Sequence, residues 1–138
     1  MGFFDKKEEE VVEEKAVPEF KYNDHIAAGQ EFIKRYHFDV DITGVFDEKT
    51  QKALAAFLDF QLKYNKTTIE KLESELLAEK PKPMLPRVMR CGLSCFDYDI
   101  EINTGKWDED AQGMFKDFQE ENYRTSFVDA VKYMFYGV

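Results

Sequence analysis

The sequence has little of several things that would announce a function. Only two cysteines occur, Cys91 and Cys95, four residues apart, and no second pair accompanies them. That spacing without a partner pair supplies neither a zinc ligand set nor a disulfide framework, so both are read as small thiols of the core or its margin. Basic charge is also short: 19 Lys and Arg stand against 28 Asp and Glu, a formal net charge of -9. A phosphate-backbone partner needs a basic surface, and nucleic acid is not expected. No apolar run approaches the length of a membrane span, and the acidic N-terminus has no signal-peptide core. The expectation is a chain that is cytoplasmic when made, with later release by lysis or incorporation into a virion as further settings. Gly2 is followed by Lys6 where a myristoylation signal requires Ser or Thr, and no lipid is expected.

What is present is aromatic, acidic and repeated. Thirteen Phe and seven Tyr in 138 residues are enough to fill a small core with bulky rings. A chain of this length buries roughly 68% of its unfolded surface, as one ordinary domain or two very small ones. The stretch from Thr43 to Phe57 recurs sixty-one residues later as Thr104 to Phe118. Gly44 and Gly105 provide a turn, Phe46 and Trp107 place one large ring after it, and Asp47 and Asp108 are N-caps. Each cap is followed by a second acid, Glu48 or Glu109, at the positive end of a helix. Ala53, Leu54 and Phe57, like Met114, Phe115 and Phe118, then fall at helical spacing.

The flanking sequence extends each copy to three helices. In the first copy a helix starts at Asn23 or Asp24 and carries Ile26, Gly29, Phe32 and Ile33. A second starts at Asp47, and a third carries Ile69, Leu72, Leu76 and Leu77 behind a Thr67–Glu70 capping box. In the second copy Pro86 suits the first turn of a helix with Val88 and Met89. A helix from Asp108 follows, and a last one opens at Ser126 with Phe127, Val131, Met134 and Phe135 on one stripe. The expected organisation is a flexible acidic arm over 1–19, a three-helix module over 20–80, a proline-rich linker over 81–86 and a second module over 87–138. Phe3 and Phe4 at the tip of the arm fit either a small docking anchor or part of a disordered terminus. Neither module has a generous core, so the two are expected to pack together. Phe38 to Ile42 and Phe96 to Ile102 alternate apolar and acidic residues, which fits either short strands pairing across the modules or structured loops.

The segment Gly44-Val45-Phe46, with Thr50, Ala53-Leu54 and Phe57, resembles the peptidoglycan-binding-domain-like family of small three-helix modules. That family's pattern is Asp-Gly-x-Phe-Gly-x-x-Thr-x-x-Ala-Val-x-x-Phe-Gln. Thr43 replaces its first Asp, Asp47 its second Gly, and the Gln after Phe57 is missing. In the second copy Gly105, Trp107 and Phe118-Gln119 fit, while Ala111 replaces the Thr and Met114-Phe115 the Ala-Val pair. The resemblance implies a mainly α fold of two tandem three-helix modules and a non-catalytic role in recognising bacterial cell-wall peptidoglycan. Tyr36, Asp41, Tyr98 and Glu101, near the two Gly turns, are the ligand-binding candidates. Gly44, Phe46, Asp47, Gly105, Trp107 and Asp108 are structural.

Catalytic chemistry has few candidates. His25 and His37 sit in no ligand motif, and the acidic loops match no EF-hand spacing. Neither a metal nor another cofactor is expected. The alternative to wall recognition is a phage or bacterial structural adaptor that reuses the modules for protein contacts, through the acidic arm or the aromatic run Tyr133 to Tyr136.

Overall fold

The computed structural model describes residues 21–138, so the expected arm with Phe3 and Phe4 lies outside the described residues. Six helices follow in order: α1 (Asp24–Arg35), α2 (Glu48–Tyr64), α3 (Ile69–Leu76), α4 (Met84–Cys95), α5 (Glu109–Glu121) and α6 (Phe127–Tyr136). The chain is mainly helical, and the described residues contain no strand.

The two halves repeat in backbone detail. Asn23, Asp47, Asp108 and Ser126 each cap a helix by accepting from backbone N–H groups of its first turn, as their residue types predict. At the other ends, α1, α2, α4 and α5 close in the same Schellman arrangement, with His37, Lys66, Asp97 and Tyr123 at positive φ. Glycine is the residue that adopts this conformation at least cost, and none stands at these four positions, so the sequence gives no stop signal there. Glycine instead closes α6, where Gly137 has φ 74°.

Helix α4 holds the two halves together. It packs against the other five helices, and from Leu85 to Cys95 only Arg87 is not buried. One buried cluster runs from Phe32 of α1 to Phe135 of α6, so neither half keeps a core of its own. The closest approach is at Gly29 of α1, where a Cβ would lie 2.5 Å from the Cys95 Sγ and 3.3 Å from the Cys91 carbonyl oxygen. Glycine there lets two helix backbones touch. The Cys91 thiol donates to the Gly29 carbonyl at 3.3 Å, and Ser94 Oγ donates to the His25 carbonyl at 2.6 Å. Both cysteines are core residues, and burial, reinforced by Cys95, pushes the Cys91 thiol well above its usual range.

Two expectations are corrected, and one open alternative is decided. Residues 81–86 are not only a linker, because α4 begins at Met84; Pro86 occupies its first turn, where the missing N–H has no intrahelical role. The Thr67–Glu70 capping box does not form. Thr68 is the N-cap without a side-chain bond, Thr67 donates its N–H back to Leu62 to close α2, and its buried hydroxyl has no partner among the described residues. The two alternating segments are loops. Their alternation is one of burial, with Val40 and Ile102 inward and the acids outward; the Glu101 carbonyl accepts from Arg90, and the Asp41 and Ile102 carbonyls accept from the N–H groups of Thr43 and Thr104, in place of a neighbouring strand.

Glycine substitutions separate packing from propensity. Gly29→Ala should lose about 2 kcal/mol of unfolding free energy through overpacking at α4. Gly113→Ala, where a Cβ meets nothing within 4 Å, should gain about 1 kcal/mol from helix propensity. Urea titrations of both variants check this.

Candidate functional site

The repeated turns are built from below by one buried polar residue each. Gln30 of α1 is fully buried: its amide oxygen accepts the N–H groups of Thr43 and Gly44 at 2.9 Å, and its amide nitrogen donates to Val45 O at 2.9 Å and Thr50 Oγ1 at 2.8 Å. Sixty residues on, Arg90 of α4 does the same work with a different group. It is 4% exposed, and its guanidinium donates to Lys106 O and Glu101 O at 2.8 Å and to the Asp108 carboxylate at 3.1 Å. Buried backbone groups in a turn need partners, and these two side chains supply them from the preceding helix. Neither residue stands out in the sequence. A polar side chain on the apolar face of the helix before each Gly turn, at matching repeat positions, was the signal available.

The Gly turns themselves take up their expected structural places. Gly44 has φ 70° and lies against the Tyr22 ring, and its carbonyl accepts from Asn23. Gly105 packs on Pro83 with ordinary φ, so its need for glycine is one of space. Phe46 packs on Phe96 across the halves with ring centroids 4.6 Å apart and planes tilted by 42°, while Trp107 is 7% exposed and packs on Phe115. Burial pushes the Asp47 carboxyl up, but hydrogen bonds from the Thr50 hydroxyl and backbone, and from Thr43, more than offset this and hold it below its ordinary value. Asp97 is likewise lowered, by hydrogen bonds from His25 at 3.0 Å and Asn23 at 2.7 Å.

The four ligand candidates are not gathered into one pocket. Tyr36 is 38% exposed but stacks on the buried Phe57 at 5.6 Å, and Asp41 pairs with Lys49 at 3.1 Å. Tyr98 is half-buried and donates to Glu121 at 2.5 Å; burial and that carboxylate push its hydroxyl pKa up. Glu101 is exposed and lines a cavity of about 360 Å³ together with Asp99, Thr104, Lys106, Asp110 and Met114.

A related cavity of about 170 Å³ lies in the first half, lined by Phe38, Asp39, Lys49, Lys52, Ala53 and Ala56. The two occupy corresponding places, between the loop after the first helix and the opening turns of the second. Asp39 matches Asp99, Lys49 matches Asp110, and Ala53 matches Met114. Their chemistry differs, since Lys49 pairs with Asp39 and Asp41 in the first, and acids dominate the second. Glu101, one of the ligand candidates, lines the second cleft; Phe38, Asp39, Lys49 and Lys52 of the first were not among the candidates, and their side chains meet only when the loop folds onto α2.

Among the described residues, no three His, Cys, Asp or Glu side chains are arranged to hold a metal ion, and no helix is long and apolar enough to cross a membrane. Compared with models of known families, with curated proteins and with solved structures, the chain matches none.

Two predictions follow from the turns. Arg90→Ala should cost about 3 kcal/mol by leaving two backbone carbonyls unpaired, and Arg90→Lys should recover little of it, because one ammonium cannot span three acceptors; denaturant unfolding measures both. Because the folded pKa of Asp47 is depressed, its contribution is present above the ordinary value of 3.8 and is lost as pH falls through the folded value. Asp47→Asn keeps a capping side chain without a titrating group, and should flatten the acid limb of stability against pH below that value.

Proposed function

We propose that the chain is a non-catalytic binding module that recognises bacterial cell-wall peptidoglycan through the two corresponding clefts beside its Gly turns. The observation that carries this reading is the recurrence of the cleft itself. Two halves that differ in most side chains both keep a concave site between the loop at Asp39 or Asp99 and the start of α2 or α5. The resemblance of both halves to peptidoglycan-binding modules adds the ligand class. The first cleft offers an aromatic edge in Phe38 with Asp39, Lys49 and Lys52 as hydrogen-bonding and charged groups. The second offers Thr104, Lys106 and a set of carboxylates. Such a mixture suits a ligand made of sugar rings and short peptides that carry both amines and carboxylates.

The adaptor reading keeps one supporting observation. Phe60 and Tyr64 stand exposed on α2 by 53% and 73%. The aromatic end of the chain does not support it, because α6 is engaged within the molecule. Met134 and Phe135 are buried, Tyr136 donates to Asp59 at 2.5 Å, and Gln51 donates to the Phe135 carbonyl at 2.9 Å.

Co-sedimentation of the purified chain with insoluble peptidoglycan, against cellulose and across a salt series, tests the wall reading. Saturable retention on peptidoglycan alone is expected. Lys52→Glu and Glu101→Lys, at exposed positions, should each weaken it about tenfold, ~1.4 kcal/mol, with unchanged far-ultraviolet circular dichroism. Absence of retention on several wall chemotypes would discard the reading.

A further inference from the structure

The two clefts hold their matching carboxylates in different ways. In the first, Asp39 pairs with Lys49 at 3.3 Å, and hydrogen bonds to Asp41 and Asp39 hold the Lys49 ammonium above its ordinary value. Asp39 therefore faces a permanent cation. In the second, the position of Lys49 is taken by Asp110, an acid that offers Asp99 no pairing. The cation for Asp99 comes instead from the other half of the molecule, where Nε2 of His25 on α1 lies 3.6 Å from its carboxylate.

His25 is fixed in that place by its surroundings. Its backbone N–H donates to the cap Asn23, its carbonyl accepts from Ser94 Oγ of α4 at 2.6 Å, and its Nδ1 lies 3.0 Å from the Asp97 carboxylate. The Asn23 amide donates to that same carboxylate at 2.7 Å, so the first turn of α1 grips the loop after α4 twice. The charged groups about the ring are Asp97 and Asp99 from this loop and Asp24, its neighbour on α1; α4 presents the uncharged Ser94. A neutral imidazole carries one N–H and one lone pair. With the N–H spent on Asp97, the Nε2 lone pair is turned toward the Asp99 carboxylate, and the two repel. An imidazolium has an N–H on both sides and attracts both acids. Histidine ordinarily gains or loses that proton between about pH 5 and pH 8. Asp97 stays ionised throughout, because hydrogen bonds from His25 and Asn23 hold its carboxyl below the ordinary value.

We propose that His25 is a pH-dependent latch on the second cleft: protonated, it holds the Asp99 carboxylate at the cleft's edge, and on losing the Nε2 proton it releases Asp99 to pair with an amine of the ligand. His25 is a positioning residue, acting through Asp99. The second cleft then takes cationic groups better as pH rises, while the first, with Lys49 on its acid, is indifferent. The latch itself does not rest on the wall reading; the ligand amine assigned to the released carboxylate does.

The side-chain carboxyl resonances of the full, carbon-labelled chain, followed over a pH series, test it. The Asp99 resonance should move through a transition between about pH 5 and pH 8, above the range in which an aspartate itself ordinarily titrates. That transition should be lost in His25→Gln. It should be kept in His37→Asn, which replaces the other histidine, beyond the far end of α1, with a residue that tolerates its positive φ. Asp110→Lys restores the permanent cation of the first half at the matching position, and should remove most of the transition at Asp99 while leaving that at Asp97, although His25 is intact. Retention on peptidoglycan should be about threefold weaker at the acid end of the series than at the alkaline end, and level in His25→Gln. An Asp99 resonance that stays constant overturns the latch, as does a transition that survives His25→Gln or is unchanged by Asp110→Lys. Retention that is level with pH in the unsubstituted chain overturns the pairing of Asp99 with a ligand amine. A chain not retained at any pH loses the wall reading, and the Asp99 resonance still decides the latch.

Discussion

Everything above the core rests on a buried side chain reaching from one helix into the turn that follows it. A turn folded over an apolar core presents N–H and C=O groups that water cannot reach, and each left unpaired costs about as much as a lost hydrogen bond. Gln30 meets that demand in the first half with an amide that both donates and accepts, and Arg90 meets it in the second with a guanidinium that only donates. The difference propagates. Gln30 bonds Thr50, the neighbour that in turn bonds Asp47, whereas Arg90 bonds the cap Asp108 directly. The same turn is thus held once by a neutral amide and once by a guanidinium paired with its cap.

The second constraint is the shared helix α4. Two three-helix halves of this size would each be marginal alone, and here they share one core. The first helix of the second half lies in the middle of the whole, against α1 at the close approach permitted by Gly29 and against α6 beside Gly92. Fusion of the cores has a consequence for the surface. With α4 and the inner faces of α1 and α6 committed to the interior, the outer faces of α2 and α5 and the loops beside the Gly turns are left at the surface. Of these, α2 and α5 differ in charge, while the loops, caps and turn closures have stayed alike.

Local features were largely legible beforehand. Asp47, Asp108 and Ser126 cap helices because a short polar side chain at that spacing satisfies nearby N–H groups whatever lies further away. The cap at Thr67 was misplaced by one residue, because the closing turn of α2 claimed its N–H first. The alternating loops were ambiguous for a related reason: inward and outward alternation describes burial, and whether a strand forms depends on a partner that the sequence does not display. Of the site residues, Glu101 lay in a cleft, whereas Tyr36 and Tyr98 are occupied by Phe57 and Glu121, contacts made over long sequence separations.

By itself the sequence determined the helices, their caps, the repeat, and the apolar faces, since each of these depends on residues within one or two turns of one another. Only the tertiary structure decided that Gln30 and Arg90 hold the turns, that α4 lies at the centre of one shared core, and that the loops and second helices enclose the two clefts. Those features depend on which helices touch. That is set by the shape of packed side chains, such as the missing Cβ of Gly29 against Cys95, and not by any pattern within a single segment.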